Sequence, residues 1–326
     1  MNKNIFIKSR KRKKKEFQFF MHQFVESAIR SGIKPKKEYF IHGIGKFIHL
    51  LSKVIRKAPN KHSKQAIIIT SRGDGLITQA FPYFYKYEII PMLWDVWPQY
   101  WDVLYNDIKK LNCKIIFVTV RSIADKIRKD LHIKTYWIPE GIDVKDYNKG
   151  DNLCSRIYDI YELGRLKKDY HQLLLNLKDN KSIKHLFHNT YDNNDKLIQL
   201  AFPTSQSLLD NLPNFKIIIS FPQIDTHPQN AGGIETLTQR YWEAMLSRCL
   251  IIGRAPQELI DLIGYNPVIN VNWNTPQQQI IDILNNIQNY QDFVDKNYNT
   301  ALEFASWDNR MNKIKKILKE NGYTCN

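Results

Sequence analysis

The chain of 326 residues is poor in cysteine, short of acid relative to base, and free of long apolar runs. Its four cysteines, Cys113, Cys154, Cys249 and Cys325, stand far apart, with no pair at the spacing of a zinc or redox site. That excludes a disulfide scaffold and points to a reducing compartment. No apolar run approaches the ~20 residues of a membrane span. The N-terminal basic run is followed by Phe17, Phe20, Met21 and Phe24 interleaved with polar residues, so a signal peptide is not expected. No internal repeat is visible, and the basic run is the one low-complexity stretch. Hydrophobic residues make up 43% and charged residues 25%, which rules out a disordered chain or a coiled coil. At roughly 100–200 residues per domain, the length predicts two domains.

The charge is unevenly placed. Lys and Arg number 48 against 32 Asp and Glu, a formal net charge of +16. Up to Glu140 there are 28 basic and 11 acidic residues, a net +17; beyond it there are 20 and 21, a net −1. Seven of the early charges are Lys8, Arg10, Lys11, Arg12, Lys13, Lys14 and Lys15. Like charges this close repel, so they need solvent or an anionic partner. A solvated loop is one reading; a phosphate-bearing substrate, nucleic acid or an anionic membrane are the others. Each Lys or Arg near an anionic surface contributes on the order of 1 kcal/mol, enough in sum for peripheral attachment.

Short β-rich runs alternate with amphipathic stretches. The first half predicts strands near 4–8, 66–70, 88–93, 114–120 and 134–138, with helices near 16–31, 41–57, 75–86, 97–111 and 121–131. The first helix is strongly amphipathic, and its face of Phe17, Phe20, Met21, Phe24, Val25, Ala28 and Ile29 either packs on a sheet or lies on a membrane. After residue 150 the pattern restarts. Strands are expected near 156–163, 183–188, 215–220, 249–252 and 267–271, and helices near 165–178, 204–212, 234–247, 256–263, 276–289 and 290–321. Apolar strands separated by helices imply parallel sheets covered on both faces. The expected class is α/β, with two Rossmann-like domains facing one another across a cleft: 1–140, basic, and 153–305, with 306–326 a C-terminal helix packing back toward the first. Ligands of such sheets collect beyond the carboxyl ends of the strands.

The most informative segment is 227–245, HPQNAGGIETLTQRYWEAM, which follows the buried strand FKIIIS. It contains Glu235 and Glu243, eight positions apart. On one ideal helix these carboxylates stand about 80° apart, too far for the close acid pair of a hydrolase and suited to gripping two sets of hydroxyls. Gly232 and Gly233 let backbone approach a ligand, and exposed N–H groups of a first helical turn favour phosphate.

This block resembles the donor-binding segment of retaining GT-B glycosyltransferases, family 4 above all, whose mark is Glu, seven residues, Glu, then Ala-Met; Glu243-Ala244-Met245 matches that ending. Trp137-Ile138-Pro139-Glu140-Gly141-Ile142-Asp143 is similar to the family's interdomain IPNGID segment, with Glu140 in place of Asn. Tyr161-Glu162-Leu163-Gly164-Arg165-Leu166 resembles its GR turn, and Leu250-Ile251-Ile252-Gly253 through Pro256-Gln257-Glu258-Leu259 its strand and Pro-x-Glu turn. The likeness covers about 134–265. Two positions depart: the family's Lys five residues beyond the Arg is Tyr170, with Lys167 or Lys168 nearby, and its GFG is Thr236-Leu237-Thr238.

The resemblance implies a GT-B architecture and a metal-independent, hexosyltransferase-type enzyme. Glu243 would bind the donor ribose, Glu235 the donor sugar, and Arg165 the diphosphate, with Gly164, Lys168, Gly232, Gly233, Thr236, Leu237 and Thr238 completing the donor site. Fixed cations aimed at the departing diphosphate stabilise the charge that builds there. No metal site and no cofactor is expected, the nucleotide sugar being a co-substrate; His185 and His188 at i, i+3 lack a third ligand. In the first domain, Arg72 and Asp74 of Ser71-Arg72-Gly73-Asp74-Gly75, and Trp94 with Asp95, are the acceptor-side candidates. Asp74 capping the following helix, and core packing for the aromatics Trp94, Trp97, Tyr100 and Trp101, are the competing readings. The expected function is transfer of a sugar to a glycan or lipid-pyrophosphate-linked acceptor in cell-surface polysaccharide synthesis, in the cytoplasm or at the inner membrane face through Lys8–Lys15. A sugar-binding protein of this fold without catalysis, and a nucleic-acid-binding protein, are the alternatives; no nucleic-acid-binding module is visible.

Overall fold

The computed structural model describes residues 3–10, 19–37, 63–192 and 196–324. The predicted helix over 41–57, Phe17, and Lys11–Lys15 of the basic run lie outside them. The chain divides into two compact units, Met1–Gly141 with Trp307–Asn326, and Ile142–Ser306.

The first unit is built on a parallel sheet of β1 (Lys3–Lys8), β2 (Lys34–Lys36), β3 (Gln65–Arg72), β4 (Glu88–Trp94), β5 (Ile115–Val118), β6 (Lys134–Trp137) and β14 (Tyr323–Thr324). Its path runs β14-β1-β3-β4-β5-β6, with β2 also on β1, so strand order reverses between β1 and β3. Both faces are covered, as continuous Ile-rich strands require. One face buries Ile5, Ile68, Met92 and Phe117 beneath helices Phe19–Arg30 and Trp307–Glu320. The described part of the first helix's amphipathic face packs into the core: Met21, Phe24, Val25 and Ala28 are buried there. Among the described residues no helix is long and apolar enough to cross a membrane. Lys8, expected in the solvated basic run, is instead buried at the end of β1, where its ammonium donates to Gln79 at 2.9 and 3.1 Å.

The second unit holds β7 (Tyr158–Glu162), β8 (Leu186–His188), β9 (Thr190–Tyr191), β10 (Leu197–Gln199), β11 (Phe215–Ser220), β12 (Leu250–Gly253) and β13 (Ile269–Asn270). Its five-stranded sheet, β13-β12-β11-β7-β8, is parallel throughout and reverses between β7 and β11; β9 and β10 form a separate hairpin that the sequence pattern did not announce. Alternation along each strand splits the core. Tyr161, Ile218 and Ile251 face helices Gln239–Leu246 and Gln257–Ile263, whereas Ile160, Ile217 and Ile252 face helices Lys168–Asp179 and Pro276–Asn285.

Three expected helices differ. The one over 290–321 breaks into Gln291–Phe304 and Trp307–Glu320, because Ile142 N–H donates to Ala305 at 2.9 Å and Ile142 bridges Ser306 where the chain passes from one unit to the other. The one over 75–86 stops at Ala80, ahead of Pro82. The one over 234–247 begins only at Gln239. Residues 142–152, which fall between the two expected domains, are part of the second unit, with Ile142 fully buried in its core.

Candidate active site

The second unit concentrates its polar chemistry at the carboxyl ends of its strands, beside the reversal of strand order, where open α/β sheets bind ligands. There β7 ends at Glu162 and the chain turns through Gly164 and Arg165 into helix Lys168–Asp179. Gly164 has φ +90°, and a Cβ on it would stand 3.0 Å from Nη1 of Arg240. That guanidinium lies along the turn, donating to the Leu163 carbonyl at 3.2 Å, while the Tyr191 hydroxyl donates to the Gly164 carbonyl at 3.0 Å. The turn is thus pinned from both sides, with the partly exposed Arg165 next in line.

Glu243 lies one helical turn beyond Arg240. Its carboxylate accepts a hydrogen bond from the Tyr147 hydroxyl at 3.1 Å. Desolvation raises its pKa, and the Tyr147 hydrogen bond and the Arg240 charge pull the other way. The Tyr147 phenol is pushed well above its ordinary range by desolvation and by Glu243. A desolvated carboxylate with spare acceptor capacity beside a guanidinium is equipped to hold hydroxyls close to an anion.

Glu235 has other company, and the single-helix geometry expected for the two glutamates is not realised. Gly232 and Gly233, at φ +55° and +79°, end the short helix Pro228–Ala231, and 234–238 run without regular structure to Gln239. Glu235 pairs with Arg254, and its other oxygen accepts from the Gln257 N–H at 2.5 Å. Arg254 also clasps both oxygens of Asp225, at 2.6 and 2.8 Å, and those bonds above all hold its pKa higher than usual. Of the other donor-side candidates, Thr236 and Leu237 are buried, and Leu237 belongs to the core. Thr238 precedes the helix without a capping side-chain bond, and Gly232 and Gly233 are exposed. Lys168 is exposed and lines a cavity of about 430 Å³ with His171, His188, His227 and Tyr191. Under that cavity the buried Glu162 carboxylate meets His171 Nδ1 at 2.5 Å. Tyr170, at the position of the family's lysine, is wholly buried. His185 lies 3.8 Å from Asp159, and His188 contacts the Asn189 carbonyl at 3.1 Å. Among the described residues no three His, Cys, Asp or Glu side chains gather as a metal site.

In the first unit, Arg72 closes β3 and pairs with Asp95 at 3.1 Å, both exposed. Asp95 itself has φ +49°. Asp74 is exposed but caps nothing: the helix Leu76–Ala80 has no side-chain cap, and its Ile77 N–H is instead taken by Asp107 at 3.0 Å. Trp94 does not reach an acceptor. It is 2% exposed and packs edge-on against Phe24 and Trp307, because the side chain at the end of a central strand points into the layer beneath the sheet. Arg72, Asp74 and Asp95 remain as surface groups at one strand end.

The sequence pattern missed Arg240, Tyr147, Arg254 and Asp225. Arg240 lies inside the segment 227–245, three residues before Glu243, where a helix makes the two side chains neighbours on one face. Arg254 directly follows Gly253, the end of a strand and so the mouth of the site. Tyr147 and Asp225 carry no local signal.

No protein-family profile and no curated protein matches this sequence. Solved structures do. The chain is similar to Anabaena HepE in complex with UDP and glucose, at 10% identity and TM-score 0.59 over 98% of this chain and 100% of that one. It is similar to sucrose-phosphate synthase from Thermosynechococcus elongatus, at 10% identity and TM-score 0.61 over 98% and 99%. TarM matches at 12% identity and TM-score 0.55 over 83% of this chain, which spans only 57% of TarM. At such identities the likeness is one of fold, and the chain has the GT-B glycosyltransferase fold.

Proposed function

We propose that this protein is a retaining glycosyltransferase of the family 4 type, which moves a sugar from a nucleotide-diphosphate donor bound by the second unit to a glycan or lipid-linked acceptor bound by the basic first unit. The observation that carries the reading is the Glu243 carboxylate, desolvated beside Arg240 and the Gly164-Arg165 turn at the carboxyl end of β7. Ribose hydroxyls donate to Glu243, and the diphosphate lies against Arg165. HepE, of the same fold, has been crystallised with UDP-glucose. Breaking the sugar–phosphate bond places negative charge on the leaving diphosphate, and a fixed guanidinium lowers that barrier by roughly 2.7–4 kcal/mol. Retention then follows from attack on the face the diphosphate leaves, the departing oxygen taking the acceptor proton. Glu235, held by Arg254 and the Gln257 amide, is a fixed acceptor for donor-sugar hydroxyls.

The test is a calorimetric titration with UDP, GDP and ADP, followed by turnover with the matching sugar nucleotides. Glu243→Gln and Arg165→Ala are expected to weaken nucleotide binding or turnover at least about tenfold. Unchanged values in both variants remove the mechanism. Product NMR checks retention of the anomeric configuration, and turnover unaffected by a chelator checks metal independence. Sedimentation with phosphatidylserine vesicles checks attachment through the basic run. The burial of Tyr170 in place of a phosphate-binding lysine favours a second reading, a sugar-nucleotide-binding protein without catalysis. Binding without transfer to any acceptor or to water would establish it.

A further inference from the structure

At the carboxyl ends of β11, β12 and β13 the second unit carries a cavity of about 460 Å³. Its lining includes Trp273, Phe221, Lys167, Asp169, Asp225 and Arg254. The volume falls in the range of small-molecule sites. Trp273 is 51% exposed, yet it is held in place. Tyr170 meets it edge-on at 5.9 Å, Phe221 lies 6.5 Å away, and the Lys167 ammonium stands 5.1 Å from the ring centroid. Tyr170 itself packs edge-on against Phe221 at 5.6 Å. The position where the resemblance expects a phosphate-binding cation therefore holds a buried aromatic that props an indole.

The polar groups around this indole come as pairs. Lys167 meets Asp169 at 3.0 Å, and Arg254 meets both Asp225 and Glu235. In the lining two cations thus stand against two carboxylates, and Arg254 is shared with Glu235 as well, so neither cation is left unpaired for a phosphate. Donors and acceptors set side by side suit vicinal hydroxyls, each of which gives and takes a hydrogen bond. An aromatic face receives the C–H face of a pyranose. We infer that this cavity is a saccharide subsite, in which a neutral pyranose ring stacks on Trp273 with its hydroxyls on the Lys167–Asp169 and Arg254–Asp225 pairs. The inference rests on the glycosyltransferase reading only for the source of the ring, which is either the sugar of the donor or a unit of the glycan acceptor.

The experiment uses the full chain. Saturation-transfer NMR with methyl α-D-glucopyranoside and with N,N′-diacetylchitobiose is compared for the wild type, Trp273→Ala and Trp273→Phe, with UDP binding measured on the same samples. Transfer is expected for the wild type, about tenfold weaker affinity for Trp273→Ala and recovery in Trp273→Phe, with UDP affinity unchanged. Because Trp273 is half in solvent, its truncation leaves the core intact, which the thermal midpoint verifies. No transfer from the wild type, equal transfer to Trp273→Ala, or displacement of the saccharide by uridine overturns the inference. Displacement by a sugar nucleotide but not by UDP supports it with the donor sugar as occupant; simultaneous binding supports it with the acceptor. Wild type that binds saccharide through Trp273 but binds no nucleotide removes the glycosyltransferase reading and leaves the subsite standing.

Discussion

Gly253 offers the sharpest test of how the second unit holds its site together. It ends β12 in register with Ser220 of β11, accepts the Val271 N–H at 3.2 Å, and is followed by Arg254, whose N–H donates to Ser220 at 3.1 Å. Its φ is +142°, and a Cβ would come within 2.0 Å of the Ser220 carbonyl oxygen and 2.9 Å of its carbon. Backbone cannot swing aside as a flexible side chain can, so Gly253→Ala must push β11 and β12 apart at the end where Arg254 enters the site. The unfavourable φ costs about 1–3 kcal/mol and the overlap about 1–3 kcal/mol more, which places the expected loss near 4 kcal/mol. Gly264→Ala separates the two contributions. That glycine also has positive φ, +82°, but its Cβ would meet nothing within 4 Å, so only about 1–2 kcal/mol is expected. Urea denaturation of the three proteins measures the difference, and the affinity for UDP-hexoses relative to UDP reports the displacement of Arg254 and Glu235. Equal stability of the two variants would refute the reasoning, since it would mean that the close approach of β11 and β12 is not what demands glycine.

Glu243→Gln is expected to stabilise the fold while weakening nucleotide binding. The raised pKa means that the native state takes up this proton more readily than the unfolded chain. Its contribution to stability is complete below the ordinary glutamate range and is lost as pH rises through the raised value. The amide therefore gains over the wild type at neutral pH and not in acid, which a series of Tm values against pH checks. Trp307→Ala removes a fully buried indole packed on Phe24 and Trp94 and should cost about 3–5 kcal/mol in urea denaturation, with helix Trp307–Glu320 losing its hold on the first unit. Arg72→Ala breaks an ion pair whose side chains are 43% and 37% exposed, so stability should change by less than about 1 kcal/mol. A raised acceptor KM with donor KM unchanged would mark Arg72 as an acceptor contact, and identical constants would remove it from that role.

What the sequence could announce follows from the range of the forces involved. Buried parallel strands need an unbroken apolar run and nothing else, so Gln65–Arg72, Glu88–Trp94 and Phe215–Ser220 could be read within a few residues. β2, β9, β10 and β14 are two or three residues long and owe their existence to a neighbour's free edge, which no local pattern records. The same division runs through the site. Gly164 is legible because a turn and a close approach both demand glycine, and Glu243 because its helix is periodic. The helix start was misplaced because 234–238 contains Thr236, Leu237 and Ile234 at spacings a helix would tolerate. What holds that stretch irregular is long-range: Leu237 N–H faces Glu258, 21 residues on, at 3.5 Å, and Glu235 is drawn to Arg254 and the Gln257 amide.

That misreading matters chemically, because it separates the two glutamates. On one helix they would be two grips on one ligand. In the fold, Glu243 sits with Tyr147 and Arg240 beside the Gly164 turn, and Glu235 pairs with Arg254, which with Asp225 lines the cavity of Trp273. A ligand that engages both must reach from a setting rich in guanidinium to one with surplus carboxylate. A molecule carrying phosphate at one end and a neutral polyol at the other has that polarity, and free nucleotide has only half of it. The difference predicts that sugar nucleotides of the right hexose bind more tightly than the nucleoside diphosphate alone, and that Arg254→Gln narrows the gap by freeing Asp225 and Glu235 from their common partner. Titration of UDP and of UDP-hexoses against both proteins measures it, and a gap that Arg254→Gln leaves unchanged would show that the two glutamates do not serve one ligand.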